Sequence, residues 1–163
     1  MVIAARRRLA ALEREFRDVQ DRLAIKETLL RYARGVDNRD FAAVRACFIK
    51  EAVVDGSLGN TTIEEYCESL RVELAAYQGT MHFIGNQYVE VGGDQATLSS
   101  YAVAYHCVGR EPSERDLIVG VRYLDEFRRS EDTWLIERRK VQPVFVGARF
   151  VPRQGGGARF ADE

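Results

Sequence analysis

Apolar residues in the first fifth of the chain recur three and four positions apart. Leu9, Leu12, Phe16, Val19, Leu23 and Leu30 are separated by Arg, Glu and Asp, the spacing of one face of a helix. A helix is predicted from residue 4 to about 36, broken near Asp21. In its second segment Ile25, Leu29, Tyr32, Ala33 and Val36 form a stripe suited to a core, which turns Tyr32 inward. Asp37-Asn-Arg-Asp40 reads as a turn, and Phe41, Val44 and Phe48 mark a short further helix. Ala52-Val-Val-Asp55 predicts a short strand ahead of a loop, Gly56-Ser-Leu-Gly-Asn60. Thr61 and Thr62, followed by Glu64 and Glu65, give overlapping capping boxes for a helix with Ile63, Tyr66, Leu70, Leu74 and Tyr77 on one face. Gly79 is expected to end it.

Beyond Gly79 the period changes to two, the signature of a sheet. Strands are predicted over 80–91, 95–108, 116–129 and 134–146, separated by Gly92-Gly-Asp94, Gly109-Arg-Glu-Pro112 and Ser130-Glu-Asp132. Helices followed by a long antiparallel meander define an α+β class. A single domain over 1–146 is expected, with the helix at 4–22 as a possible extension and the Gly-rich segment 147–163 as a flexible tail. A curved sheet with helices on its concave side encloses a cavity where side chains from both can converge.

Charge removes some function classes. With Lys+Arg 24 against Asp+Glu 25 in 163 residues, the chain has no basic footprint for nucleic acid. Its three cysteines, Cys47, Cys67 and Cys107, form no CxxC pair and read as thiols in a reducing compartment. The opening segment places its arginines after a very short apolar patch, the wrong order for a secretory signal, and no apolar run is long enough to span a bilayer. A cytoplasmic protein is expected.

The chain has two histidines. Strand alternation puts His82 on one face with Ile84, Asn86 and Tyr88, and His106 with Ala96, Leu98, Ser100, Ala102 and Ala104, whose small side chains leave room beside it. The short Gly92-Gly93-Asp94 turn lets neighbouring antiparallel strands carry both imidazoles on one face. Each residue alone also has a bland reading: hydrogen-bonded filler for either histidine, a cap for Asp37, a core phenol for Tyr32.

The runs Ile25-Lys-Glu-Thr-Leu-Leu-Arg-Tyr32-Ala-Arg-Gly-Val-Asp37-Asn-Arg-Asp40-Phe41 and Met81-His82-Phe-Ile-Gly85 resemble the SnoaL-like branch of the nuclear transport factor 2 superfamily. Within it the chain is similar to scytalone dehydratase, bile-acid 7α-dehydratase and lindane dehydrochlorinase. The resemblance covers residues 23 to 146. It implies a cone-shaped α+β barrel, cystatin-like, in which a strongly curved, mostly antiparallel sheet wraps around N-terminal helices and a deep apolar pocket. It implies that Asp37 orients a catalytic His82, that Tyr32 is an active-site tyrosine, and that His106 takes the place of a second histidine or an aspartate. Departures are visible: Gly56 follows Asp55 where scytalone dehydratase has a water-holding tyrosine, and Val121 and Tyr123 replace its serine and asparagine contacts.

The function so implied is a cofactor-independent dehydratase working by β-elimination on a small hydrophobic cyclic hydroxy-carbonyl compound. His82 is the expected base, Tyr32 the donor to the enolate, and His106 the group that protonates or holds the leaving hydroxyl. Asn86, Tyr101, Tyr123 and Phe48 are the expected substrate contacts. The same arrangement serves an isomerase, an epimerase or a polyketide cyclase, and the fold also serves binding modules without activity. Two histidines and an aspartate also resemble an iron-binding triad, but the resemblance is to metal-free enzymes and no HxD or HxxE pair is present. Arg138, Arg139 and Lys140 read as solvated or paired strand charges, and Asp125 and Arg122 as a cross-strand ion pair. A homo-oligomer, trimer or dimer, is expected from the relatives.

Overall fold

The computed structural model describes residues 2–108 and 116–149. The elements run α1 (Val2–Asp37), α2 (Phe41–Arg45), β1 (Phe48–Gly56), β2 (Gly59–Thr62), α3 (Ile63–Leu74), β3 (Gly79–Gly92), β4 (Gln95–Cys107), β5 (Asp116–Ser130) and β6 (Thr133–Arg149). Six strands form one curved, mixed and unclosed sheet in the order β2-β1-β6-β5-β4-β3. The pairings are antiparallel except β1 with β6, which is parallel. This is the α+β architecture that the helix-then-meander pattern predicts.

The expected break at Asp21 does not occur, and α1 runs unbroken for 36 residues. A mid-helix aspartate usually competes for nearby backbone N–H groups. Here its carboxylate is occupied instead: Arg129 donates to both oxygens at 2.8 and 2.7 Å, and the Trp134 indole N–H donates at 3.0 Å. Past this point Ile25, Leu29, Tyr32 and Val36 bury against the sheet. Before it, one side of α1 edges a cleft beside the β3–β4 and β5–β6 turns through Arg14, Arg17, Asp18 and Gln20, while Val2, Leu9, Leu12, Phe16 and Val19 are all more than half exposed.

Phe48 opens β1 rather than closing a helix, because α2 ends at Arg45 and the Cys47 carbonyl accepts from the Ile136 N–H of β6 at 2.9 Å. The loop expected over 56–60 is a hairpin, with Gly56 facing Gly59 and Gly59 at φ +77°, a conformation open to glycine. The Thr62 capping box forms as predicted, with Glu65 at 2.8 Å from the Thr62 N–H. The helix it starts ends at Leu74, so Tyr77 lies in the connection to β3. β6 extends to Arg149, three residues into the expected tail; the 109–112 turn and the remainder of that tail lie outside the described residues. Among the described residues no helix is long and apolar enough to cross a membrane.

β3 carries a bulge: Ile84 faces Ala102, and the next matched pair is Gln87 with Ser100. One extra residue reverses the alternation. Thr80, His82 and Ile84 therefore share the inner face with Gln87 and Val89, while Asn86 and Tyr88 turn outward.

Candidate active site

Two elements set the first acid–base pair. α1 stops at Asp37, where the Asn38 N–H still donates to the Arg34 carbonyl at 3.0 Å and the Asp40 N–H to the Gly35 carbonyl at 2.8 Å. This places the Asp37 carboxylate against the start of β3. It accepts from the His82 backbone N–H at 2.9 Å, the Thr80 hydroxyl at 3.1 Å and the His82 ring Nδ1 at 2.7 Å. A carboxylate only accepts, so Nδ1 carries its proton and Nε2 keeps the lone pair. Burial pushes the Asp37 pKa up, but the bonds from the His82 ring and backbone and from Thr80 outweigh it, and the pKa lies below the usual carboxylate value.

His106 lies beside His82 through the β3–β4 register, which pairs Thr80 with His106 and His82 with Ala104. The imidazole centroids are 6.2 Å apart, and the Tyr77 ring packs at 4.8 Å from His106. Burial lowers the His106 pKa, and electrostatic repulsion from the neighbouring His82 lowers it further. Its Nδ1 is buried without a hydrogen-bond partner among the described residues. Burial thus favours the neutral form of His106, and the residue lines the same cavity as His82.

Both histidines line a cavity of about 500 Å³ between α3 and the inner face of β3–β6. Its walls are chiefly apolar: Leu70 and Leu74 from α3, Val119 and Val121 from β5, and Pro143 from β6. Tyr66, Tyr77 and Tyr123 supply the phenols. Such a site accepts a small, largely apolar ring and fixes it by a few polar groups.

The structure rearranges several expected contacts. Tyr32 is buried behind the cavity, and its hydroxyl bonds the Tyr66 hydroxyl at 2.7 Å, so Tyr66 meets the cavity in its place. Phe48 is a core residue, edge-on to Tyr32 with centroids 6.0 Å apart, and not a cavity wall. Asn86 is exposed on the outer face because of the bulge, and Tyr101 is 43% exposed there because β4 turns its even positions inward. Tyr123 does line the cavity. Tyr66 was visible in the sequence only as part of a core-facing stripe; nothing there marked its hydroxyl. Among the described residues no group of three His, Cys, Asp or Glu side chains is placed to hold a metal ion, and Asp37, His82 and His106 do not form one.

Beneath the phenols lies a second pair. Arg139 is fully buried and donates to both Asp125 oxygens at 2.7 Å, while its guanidinium lies 4.0 Å from the Tyr32 ring centroid and 4.5 Å from that of Tyr123. Burial alone would lower the Arg139 pKa, but Asp125 outweighs it and holds the guanidinium charged. Arg122 donates instead to the Ser99 hydroxyl at 3.1 Å, so the expected Asp125–Arg122 pair is replaced by Asp125–Arg139. Burial also raises the pKa values of Tyr32, Tyr66 and Tyr123, which stay protonated as hydrogen-bond donors.

Comparison with known proteins bears on the fold and the family. The chain is 30% identical over 129 residues to an uncharacterized protein of Mycobacterium tuberculosis, Rv2910c, covering 75% of this chain and 84% of that one. A candidate scytalone dehydratase from Novosphingobium aromaticivorans superposes with a TM-score of 0.73 at 21% identity, covering 89% and 97% of the two chains. Hexachlorocyclohexane dehydrochlorinase LinA-type3 from Novosphingobium barchaimii gives 0.73 at 17%, covering 85% and 99%. A nuclear transport factor 2-like protein with a cystatin-like fold from Novosphingobium aromaticivorans gives 0.68 at 26%, covering 83% and 90%. The SnoaL-like domain model matches residues 17–140, and the chain belongs to that family.

Proposed function

We propose that the protein is a cofactor-independent lyase that eliminates water from a small, hydrophobic, cyclic hydroxy-carbonyl compound. The observation that carries this reading is the 2.7 Å contact between Asp37 and His82 Nδ1 at the wall of an apolar cavity. It leaves Nε2 as the base.

His82 takes the proton beside the substrate carbonyl, and the Asp37 carboxylate stabilises the imidazolium that forms. Tyr66 donates a hydrogen bond to the developing enolate oxygen, and Tyr32 holds the Tyr66 hydroxyl in place; this reassigns the donor role expected of Tyr32. His106, kept neutral, donates to the departing hydroxyl rather than protonating it. The proton on His82 returns to that oxygen, so water leaves and the base is restored. A ring spanning the 6.2 Å between the imidazoles meets both groups at once.

The test is turnover of ring hydroxy-ketones by the wild type and by His82→Ala, with the fold checked by circular dichroism. Loss of about a hundredfold or more in rate is expected of the variant. A substrate turned over equally by both proteins would overturn the assignment.

A further inference from the structure

The exposed half of α1 carries a regularity that the site does not use. Val2, Leu9, Phe16, Leu23 and Leu30 recur every seven residues, and Ala5, Leu12, Val19 and Lys26 fall three positions after the first four of them. This is the a/d seam of a coiled coil, apolar everywhere except Lys26. At 100° per residue it lies roughly opposite the face formed by Ile25, Leu29, Tyr32 and Val36. The helix therefore has two apolar faces, and only one is covered by the domain.

We propose that the seam over residues 2–19 packs antiparallel against the same segment of a second copy of this chain. Charge selects the occupant and its direction. With Leu9 set against the partner's Leu12, Arg6 meets the partner's Glu13 and Arg8 meets the partner's Glu15, and each pair occurs twice by symmetry. All four of these side chains are exposed, and none is ion-paired within the chain among the described residues. Sliding one helix by a heptad brings Glu13 against the partner's Glu13 and Glu15 against the partner's Glu15, and a further heptad sets Lys26 against the partner's Leu9. A parallel pair keeps only Arg8 against the partner's Glu13 within this segment, two pairs by symmetry where the antiparallel register makes four; it also aligns Lys26 with the partner's Lys26 and matches Glu15 with the uncharged Gln20 of the partner subunit, and its other favourable flank uses Arg22, already bonded to Asp18 and to the Val89 carbonyl.

An overlap of 18 residues is about 27 Å long. Burying the seam from both copies removes on the order of 1,000 Å², near the lower end for a specific interface. The association is thus expected to be concentration-dependent.

Sedimentation of the full chain over roughly 1–100 μM, the range in which a modest interface dissociates, tests the surface. Leu9→Glu with Leu12→Glu alters only exposed positions, and its particle mass is expected to halve relative to wild type with the circular dichroism of the domain retained. A mass equal to wild type at every concentration overturns the proposal. Arg6→Glu with Arg8→Glu, and separately Glu13→Arg with Glu15→Arg, should each fail to self-pair yet pair with one another when mixed; no heterodimer on mixing counts against the seam. Direction is read from disulfides: Ala5→Cys mixed with Phe16→Cys should cross-link to each other under oxidation. Cross-linking of Ala5→Cys to itself instead would exclude the antiparallel pair.

Discussion

Two acid–base pairs occupy the concave side of the sheet, and each has its oxygen and nitrogen 2.7 Å apart. Asp37–His82 joins a helix end to an edge strand and stands at a cavity wall. Asp125–Arg139 joins two central strands and has 0% side-chain exposure on both partners. The first contains an imidazole that binds Asp37 through Nδ1 alone, with its other ring nitrogen uncommitted among the described residues. The second contains a guanidinium that never deprotonates in a protein, sealed under three aromatic rings. Contact distance does not separate them. What separates chemistry from scaffolding is whether a nitrogen able to exchange a proton is left free and whether an open space adjoins it.

The largest effect expected from this contrast is on stability, at the sealed pair. Asp125→Ala leaves the Arg139 charge buried and unpaired, which costs about 3–5 kcal/mol. Chemical denaturation measures it. Replacing both partners with apolar residues of similar volume, Asp125→Leu with Arg139→Met, should recover much of that loss, since no charge is then buried alone. If the single variant proves as stable as wild type, Arg139 is not desolvated and the contrast fails.

At the cavity pair the ordering reverses. Asp37→Asn removes a charge that is partly exposed, so the folded state should lose only about 1 kcal/mol from weakened hydrogen bonds. The rate, however, should fall about a hundredfold, because an amide can donate to His82 Nδ1 and favour the tautomer with the proton on Nε2. Steady-state kinetics alongside a melting curve distinguish the two. A large loss of stability with little change in rate would make Asp37 a structural cap and nothing more.

The sequence exposes these two pairs very unequally. His82 stood out because the chain holds only two histidines, whereas Asp37 alone reads as a turn or cap residue and was joined to His82 only by the resemblance of the two motifs to the SnoaL-like family. Arg139 lay inside an Arg-Arg-Lys run that reads as solvated and paired charges, with no partner indicated. Alternation buries the middle residue and leaves Arg138 and Lys140 facing out, but only the β5–β6 register identifies Asp125 as its partner. Register also governs the misplaced contacts. A single inserted residue at the β3 bulge turns Asn86 outward, and no residue type there signals it. Likewise the unbroken α1 depends on Asp21 meeting Arg129, more than a hundred residues away. The capped start of α3, the β3–β4 and β5–β6 turns and the inward face of β4 follow local signals and were legible; the Gly56–Gly59 hairpin, the continuity of α1 and the pairings between distant side chains were not.

The phenol layer between the two pairs allows a finer division. Tyr66 touches the cavity and Tyr32 touches Tyr66. Tyr66→Phe removes the donor to the enolate and should lower kcat about tenfold, in the range of one neutral hydrogen bond strengthened in the transition state. Tyr32→Phe leaves the Tyr66 hydroxyl in the cavity without its anchor and should lower kcat less. The opposite order would return the donor role to Tyr32.

The smallest effect is a slope. His106 has a folded-state pKa below its ordinary value, set by burial and by its neighbour His82. An unfolded histidine takes up a proton near pH 6.5. Below that pH the unfolded chain binds a proton that the folded His106 resists, so stability is full above pH 6.5 and declines as pH falls, until the folded group is also protonated. Asp37 has the same sign but a lower window: its depressed pKa contributes stability above the ordinary aspartate value and loses it only as pH falls below that. Between pH 7.5 and 5.5 the His106 contribution is therefore separable from that of Asp37. Denaturation midpoints measured across this interval should fall with pH in the wild type and fall less steeply in His106→Asn, which keeps a polar side chain but cannot take up the proton. Parallel slopes for the two proteins would mean that His106 is solvated well enough to titrate alike in both states, and that it belongs to the solvent-facing rim rather than to the wall that receives the substrate.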